Sequence, residues 1–231
     1  AFNIFPHFGS GIDIFAQKVP YPIIEKFYQQ NKKGISYHED HGEGLDFYNA
    51  NLSRGCGGLA IFQDGNRYTS AAYYNHRVLK NTKEEIEFEL IFKPFKVGNK
   101  TYTERKTIRM KMGTQFFEVT SVIDGDPGDI VVGIGLTVFG DVDIRRAKDE
   151  ASLSLWDKME VNPYALGTAV LADKSKFTGF KRYGSDEFVL MKVAVGQPFT
   201  YRVGAAWEGA GEVKTANEWQ TMVSRQLKMT Y

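Results

Sequence analysis

The chain has 231 residues, and its 29 basic and 28 acidic side chains give a net charge of +1, which excludes the broad electropositive face that nucleic acid requires. Hydrophobic residues make up 42% of the chain, as in a globular protein, and its apolar runs are far shorter than the roughly 18 residues that span a bilayer. The one cysteine, Cys56, excludes an internal disulfide and lies among glycines, so it is expected to be a small buried thiol rather than a nucleophile.

Prolines and turn residues predict several boundaries along the chain. Pro20 and Pro22 predict an extended segment at residues 23–28 rather than a helix, because proline breaks helices. Asp-Gly-Asn at 64–66 predicts a tight hairpin turn, and Val-Gly-Asn-Lys at 97–100 predicts another. These turns separate segments that read as strands.

Alternation of apolar and polar side chains is the dominant pattern of the chain. At residues 85–92 it predicts a strand with one face in the core and one face in water. The side chains expected to face inward are Ile86, Phe88, Leu90 and Phe92, and those expected to face water are Glu85, Glu87 and Glu89. The same pattern predicts strands at 101–112, 117–123, 130–139 and 199–206.

One helix is predicted, at residues 215–228. Thr215 and Glu218 form a capping-box pattern, and an apolar stripe follows at Trp219, Met222, Val223 and Leu227. About twelve to fifteen closely spaced strands with one helix predict an all-β fold, a large antiparallel β-sandwich with a C-terminal α-helix. Because no linker or repeat is visible, residues 1–231 are expected to form a single domain.

The segment 37–48 contains two histidines, four carboxylates and three aromatic rings. One interpretation is general acid and base catalysis by His38, His41 and Tyr37, because histidine titrates near neutral pH and carboxylates can orient its ring. Another is a divalent metal held by His41, Glu43 and Asp46, although Gly42 and Gly44 argue against a helix that would align ligands. The plain alternative is a solvated loop with structural hydrogen bonds.

Three further groups are candidates for substrate binding. Arg54 lies among glycines and could clamp a carboxylate, although a tight bend at a sheet corner explains the same residues. Tyr73, Tyr74 and Arg77 lie on a predicted strand, and regular pleating would place Tyr73 and Arg77 on one face and Tyr74 on the other. A strand end at Trp207-Glu208 could supply a stacking ring and an acid, although such a tryptophan is more often part of the core.

These residues resemble a known family. Tyr37-His38, Gly44-x-Asp46, the stretch 52–58, the stretch 190–207 and a helix starting near 217–219 are similar to the bacterial family called domain of unknown function 4861, found among polysaccharide-utilisation genes. The resemblance implies a secreted or periplasmic protein that acts on an oligosaccharide or polysaccharide, with a supersandwich like that of galactose mutarotase. Members are usually longer at the N-terminus, so this chain is expected to lack an N-terminal portion.

Three functions follow as hypotheses. The first is a carbon-oxygen lyase or dehydratase on uronate-containing oligosaccharides, in which Arg54 neutralises the carboxylate, His38 or Tyr74 removes a proton, and His41 or Tyr37 protonates the leaving oxygen. The second is an aldose epimerase, and the third is a glycan-binding module without catalysis. No cofactor is required by these residues, and a divalent metal remains an open alternative.

Overall fold

The computed structural model describes residues 2–4, 11–50, 52–159 and 163–229, with the backbone alone described for 2–4. The described residues form seventeen β-strands, two α-helices and two short 3-10 helices. Every strand pairing is antiparallel, so the predicted large antiparallel β-sandwich with a C-terminal helix is confirmed. The strands outnumber the about twelve to fifteen predicted because four of them have three residues, too few to show alternation.

The largest sheet has nine strands. In spatial order they are β12 (Asp141–Ala147), β13 (Ser152–Lys158), β14 (Leu166–Ala172), β17 (Phe199–Trp207), β10 (Phe116–Gly125), β9 (Lys100–Lys111), β7 (Glu85–Phe92) and β6 (Tyr73–Asn81), with β8 (Phe95–Val97) paired to β9. Long alternating strands such as β9 and β10 form its centre, which places an apolar row toward the second sheet.

The second sheet has five strands and packs against the first. In spatial order they are β15 (Phe177–Tyr183), β16 (Asp186–Ala194), β11 (Asp129–Thr137), β4 (Cys56–Gln63) and β5 (Asn66–Tyr68). The core lies between the two sheets, where Ile61, Ile134 and Val189 of the smaller sheet join one cluster with Val119 and Val203 of the larger. Cys56 belongs to this core, as predicted, and burial raises the pKa of its thiol.

Both predicted hairpin turns are confirmed. Gln63 pairs with Asn66 and Val97 pairs with Lys100, so each turn has two residues. In the first turn Asp64 has φ 51° and the following glycine φ 80°, as a tight hairpin with left-handed residues requires.

Helix α2 (Ala216–Leu227) covers the outer face of the nine-stranded sheet. Thr215 caps it by accepting the N–H of Glu218 at 3.2 Å, which confirms the predicted helix start. Trp219 is fully buried and stacks on Phe116 with ring centroids 5.7 Å apart. Gly167 makes this approach possible, because a Cβ there would lie 2.6 Å from the Trp219 ring. Among the described residues, no helix is both long and apolar enough to cross a membrane.

A small third layer closes one end of the sandwich. It contains β1 (Phe2–Ile4), β2 (Ile12–Gln17), β3 (Gly44–Asp46) and helix α1 (Ile24–Asn31). The prediction of an extended segment at 23–28 is wrong, because α1 begins at Ile24. Both prolines precede its first turn, so neither removes an N–H that a hydrogen bond of the helix requires. Ile23 and Phe27 bury against Phe15 of β2 and fix the helix there.

The outward face of β7 differs from the prediction. Glu85 and Glu89 are buried rather than in water, whereas Ile86 is exposed at the end of the strand. Arg109 and Lys80 cover Glu85, with nitrogens 2.9 Å from its carboxylate. Alternation predicted which residues share a face, but it could not predict that long basic side chains of neighbouring strands would cover the acids.

Candidate functional site

A cleft of about 1000 Å³ lies where the third layer meets the end of the five-stranded sheet. The segment 37–50 forms one wall, and β2, β5 and the ends of β11, β13 and β15 form the rest. A cavity of this size is large enough for a small ligand. The ionisable side chains that line it are Asp13, Tyr37, His38, Asp46, Tyr48, Arg67 and Tyr183.

Two carboxyl groups share one wall of the cleft. Phe15 of β2 pairs directly with Asp46 of β3, so Asp13, two residues before Phe15, lies diagonally across from Asp46 on the same face. Burial raises the pKa of Asp13 to about 8, with repulsion from Asp46 adding to it and the backbone N–H of Ile14 opposing it. Burial also raises the pKa of Asp46 to about 6, against the attraction of His38. At neutral pH one carboxyl therefore keeps its proton and the other has lost it.

His38 lies beside this pair with a defined tautomer. Its Nδ1 lies 2.9 Å from the backbone oxygen of Asp46 and 3.8 Å from Oδ2 of the same residue. Because a carbonyl oxygen only accepts hydrogen bonds, the neutral ring carries its proton on Nδ1 and its lone pair on Nε2. The ring of Tyr37 packs against the imidazole at a centroid distance of 4.4 Å, and the backbone oxygen of Tyr37 accepts the N–H of Asp46 at 2.8 Å. The ring is thus held while Nε2 has the lone pair of a base.

Arg67 of β5 adds a positive charge to the lining of the cleft. Its Nη1 lies 2.7 Å from Oδ2 of the fully buried Asp186, and its guanidinium lies 5.3 Å from the ring of Tyr183. Oδ1 of Asp186 accepts the backbone N–H of Arg54 at 2.9 Å and the hydroxyl of Thr137 at 3.2 Å. Burial raises the pKa of Asp186, and these bonds and charges act against the rise.

The structure separates the residues of the segment 37–48. Tyr37, His38 and Asp46 line the cleft together, whereas His41 and Glu43 do not. Nε2 of His41 lies 2.9 Å from the backbone oxygen of Ser36, and Glu43 binds Lys26 at 2.5 Å. Residues 37–43 form an irregular loop rather than a helix, as the glycines predicted, and residues 44–46 form β3.

Arg54 does not occupy the position predicted for it. Its side chain is 1% exposed in the core, against Gly135, and lines none of the described cavities. Burial lowers the pKa of its guanidinium to about 10. The glycines beside Arg54 instead form the tight bend that was the alternative prediction. A Cβ on Gly55 would lie 2.0 Å from the backbone oxygen of Ile12. Of these two arginines, Arg67 lines the cleft and Arg54 does not.

Tyr73, Tyr74 and Arg77 lie on β6, at the edge of the nine-stranded sheet. Tyr74 is 59% exposed, and together with Arg77 it lines a separate cavity of about 370 Å³. This cavity shares no lining residue with the cleft. Tyr73 packs against Phe92 instead. Regular pleating, on which the predicted faces depended, is broken by register shifts along this strand.

The predicted platform at Trp207 and Glu208 is also packed. Trp207 is 5% exposed and lies between Phe47 and Tyr164, at centroid distances of 6.0 and 5.5 Å. Glu208 accepts the backbone N–H of Ala165 at 2.8 Å. An open stacking surface at this strand end is therefore not what the structure shows, and the core alternative applies.

The described residues contain no group of three or more His, Cys, Asp or Glu side chains that could hold a metal ion. The three candidates have different partners: His41 contacts Ser36, Glu43 contacts Lys26, and Asp46 faces the cleft. We therefore derive no step that uses a metal.

Comparison with known proteins gives the family. The model of the family described as Domain of unknown function (DUF4861) matches residues 2–230. The chain belongs to this family. The resemblance seen in the sequence is thereby confirmed, and the DUF4861 match covers the cleft and both large sheets.

One curated relative of this DUF4861 chain is uncharacterized protein P7 of Formosa agariphila, which is 29% identical over 222 residues. The match covers 93% of the chain and 55% of the relative, so the chain spans about half the length of the curated relative it matches.

Two solved structures are similar to the DUF4861 chain at low identity. A human-microbiome protein described as a kojibiose phosphorylase has a TM-score of 0.52 at 10% identity, over 75% of this chain and 25% of that one. A protein of Klebsiella pneumoniae described as an aldose 1-epimerase has a TM-score of 0.43 at 8% identity, over 97% of this chain and 79% of that one. At 10% identity the likeness to the first concerns the fold alone.

Sequence reasoning missed Asp13, Arg67 and Tyr183 of the DUF4861 cleft. A signal for Asp13 was present, because a lone carboxylate stands among apolar neighbours in Ile-Asp-Ile-Phe-Ala at 12–16. Burying such a carboxylate is costly, and buried carboxylates with a raised pKa are common at functional sites. Arg67 and Tyr183 carry no comparable signal, since each lies beside an ordinary polar turn.

Proposed function

We propose that the cleft is the active site of a carbohydrate-active enzyme, a carbon-oxygen lyase or dehydratase on uronate-containing oligosaccharides. The observation that carries the proposal is the carboxyl pair of Asp13 and Asp46, with pKa values of about 8 and about 6 in one cleft. Two neighbouring groups of opposite protonation state are what an acid-base reaction at neutral pH needs. His38 adds a base with a fixed tautomer.

The elimination assigns a role to each group. The lone pair of His38 Nε2 removes the proton on the carbon next to the substrate carboxylate, and the released electron pair forms a carbon-carbon double bond. The neighbouring carbon-oxygen bond breaks, and Asp13 donates its proton to the departing oxygen. Asp46, ionised at neutral pH, stabilises the charge that develops on His38. If the departing oxygen is glycosidic the enzyme is a lyase, and if it is a hydroxyl the enzyme is a dehydratase.

The acidity of the abstracted proton depends on a positive charge near the substrate carboxylate. Arg54 was expected to supply it, but Arg67 lines the cleft and takes that role in the proposal. A guanidinium near the carboxylate stabilises the negative charge that accumulates as the proton leaves.

The first test is incubation with a panel of uronate-containing oligosaccharides. Ultraviolet absorbance reports the conjugated double bond, and mass spectrometry of the products separates chain cleavage from loss of water. Absence of absorbance across the panel, with a correctly folded protein, contradicts the elimination.

Two histidine variants locate the chemistry. His38→Ala should abolish turnover with an unchanged circular dichroism spectrum. His41→Ala is the matched control, because it removes the same side chain from the same loop but outside the cleft, and it should keep most of the activity. Full activity in His38→Ala contradicts the assigned base.

An aldose epimerase is the second candidate, and the same carboxyl pair supports it. Ring opening needs one group to remove the proton of the anomeric hydroxyl, so that a carbonyl forms at that carbon, and another to protonate the ring oxygen as its bond to the anomeric carbon breaks. His38 and Asp13 could take these two roles. Faster mutarotation by polarimetry, with no new double bond, would favour this candidate. Saturable sugar binding with an unchanged ligand would instead favour a glycan-binding module.

The proposed site of action is the periplasm or the outside of the cell, where large polysaccharides are first cut. Fractionation of the source bacterium followed by immunoblotting tests this. Recovery of the protein in the cytoplasmic fraction alone contradicts it.

A further inference from the structure

Two arginines bind one buried carboxylate beneath the cleft, one through its side chain and one through its backbone. Asp186 binds the side chain of Arg67 at 2.7 Å and the backbone N–H of Arg54 at 2.9 Å. The pKa of Arg54 is lowered to about 10, first by burial and next by the charge of Arg67, while Asp186 and Glu104 act in the opposite direction. The charges of both arginines therefore act within one small region.

A second buried ion pair lies in the same region. Glu104 and Lys106 are 2.9 Å apart, and both are buried. A charge in such surroundings interacts strongly with a counter-charge that reaches it, because little water screens the two. Arg67 is the charged side chain of this region that lines the cleft.

The hydrogen-bond donors of Arg67 are only partly used. A guanidinium has five N–H donors. One serves Asp186, and Nη2 makes a long contact of 3.4 Å with the backbone oxygen of Leu52. The side chain is 20% exposed, so a ligand in the cleft can reach it. The ion pair with Asp186 and the cation–π contact with Tyr183 hold the guanidinium in place.

We propose that Arg67, positioned by Asp186 and Tyr183, is a carboxylate subsite of the cleft, so that the cleft prefers an acidic sugar over its neutral counterpart. A carboxylate accepts two parallel hydrogen bonds from a guanidinium, which a neutral hydroxymethyl group cannot do. The inference rests on the proposed function for the sugar nature of the ligand. It does not depend on the reaction, because binding requires no turnover.

Isothermal titration calorimetry of the wild-type protein tests the subsite. The probes are D-galacturonate and D-glucuronate, with D-galactose and D-glucose as neutral counterparts of the same shape. The uronates should bind roughly 10- to 100-fold more tightly, the usual difference for a hydrogen bond to a charged group. Uronate binding that is no tighter than that of the neutral sugars, or is absent, overturns the subsite.

Three variants separate Arg67 from general electrostatics. Arg67→Gln should abolish the preference for uronates. Arg67→Lys, which keeps a charge beside Asp186 and so preserves the fold, should weaken the preference, because lysine lacks the paired donors. Arg182→Gln is the matched control, since it removes a charge next to Tyr183 from a side chain that does not line the cleft. A preference that survives both Arg67 changes, or disappears in Arg182→Gln, contradicts the inference.

Failure of this inference differs from failure of the proposed function. A preference for uronates without double-bond formation supports the subsite and contradicts the lyase or dehydratase. Double-bond formation without the preference contradicts the subsite and places the substrate carboxylate elsewhere in the cleft.

Discussion

The substitution Asp13→Asn should raise the free energy of unfolding relative to wild type, and this difference should grow as the pH rises. Asp13 has a pKa of about 8 in the folded protein against 3.8 for an ordinary aspartate, so the folded state holds a proton that the unfolded state loses. The contribution of this group is most favourable below about pH 4 and becomes less favourable as the pH rises to about 8. In that window each pH unit lowers the free energy of unfolding by about 1.4 kcal/mol. The wild-type protein should therefore lose about 2.5 kcal/mol of this free energy between pH 5 and pH 7, and Asp13→Asn should not.

The assay is urea unfolding at pH 5, 6 and 7, followed by tryptophan fluorescence. The quantity compared is the free energy of unfolding of the variant minus that of wild type. Titration of Asp46 affects both proteins, and the subtraction cancels the part that is the same in each. Asp64→Asn is the matched control, because Asp64 is exposed in a turn at φ 51°, which asparagine tolerates. A difference for Asp13→Asn that stays flat or falls with pH refutes the reasoning from burial.

Three other outcomes are expected. Thr215→Ala should lower the free energy of unfolding by about 1 kcal/mol through loss of the helix cap, and an unchanged urea midpoint contradicts this. Gly167→Ala should destabilise by roughly 1–3 kcal/mol and shift the fluorescence of Trp219, because its Cβ overlaps the indole ring; an unchanged emission spectrum contradicts it. If the proposed reaction holds, kcat/KM should rise through about pH 6 as Asp46 loses its proton and fall through about pH 8 as Asp13 does, and a flat profile contradicts these assignments.

The fold was largely predictable because its signals are local. Strands such as β9 and β10 show period-two alternation over ten or more residues, and the capped stripe of α2 is a complete helix signal. Helix α1 was missed because two prolines hide a helix of eight residues, whose stability comes from burying Phe27 against another strand.

The site was predictable only where the chain is dense in polar groups. Tyr37, His38 and Asp46 stood out because they share one short segment. Asp13 and Arg67 reach the same cleft from distant parts of the chain, and Arg54, which looked accessible among its glycines, is turned into the core. Local composition indicates which residues could act, but the packing of three sheets decides which of them meet.

The carboxyl pair and His38, which line the same cleft, are anchored by different means. Asp13 and Asp46 lie on paired strands, whereas the loop that carries His38 is fastened by ion pairs at its surface, from Asp40 to Lys18 and from Glu43 to α1. Exposed pairs of this kind contribute at most about 1 kcal/mol each and weaken as the ionic strength rises. In hydrogen exchange, the amides of 36–43 should open at a lower free energy than those of β2, and added salt should widen the gap. Salt concentration would then regulate how often the imidazole is in place, while leaving the carboxyl pair intact.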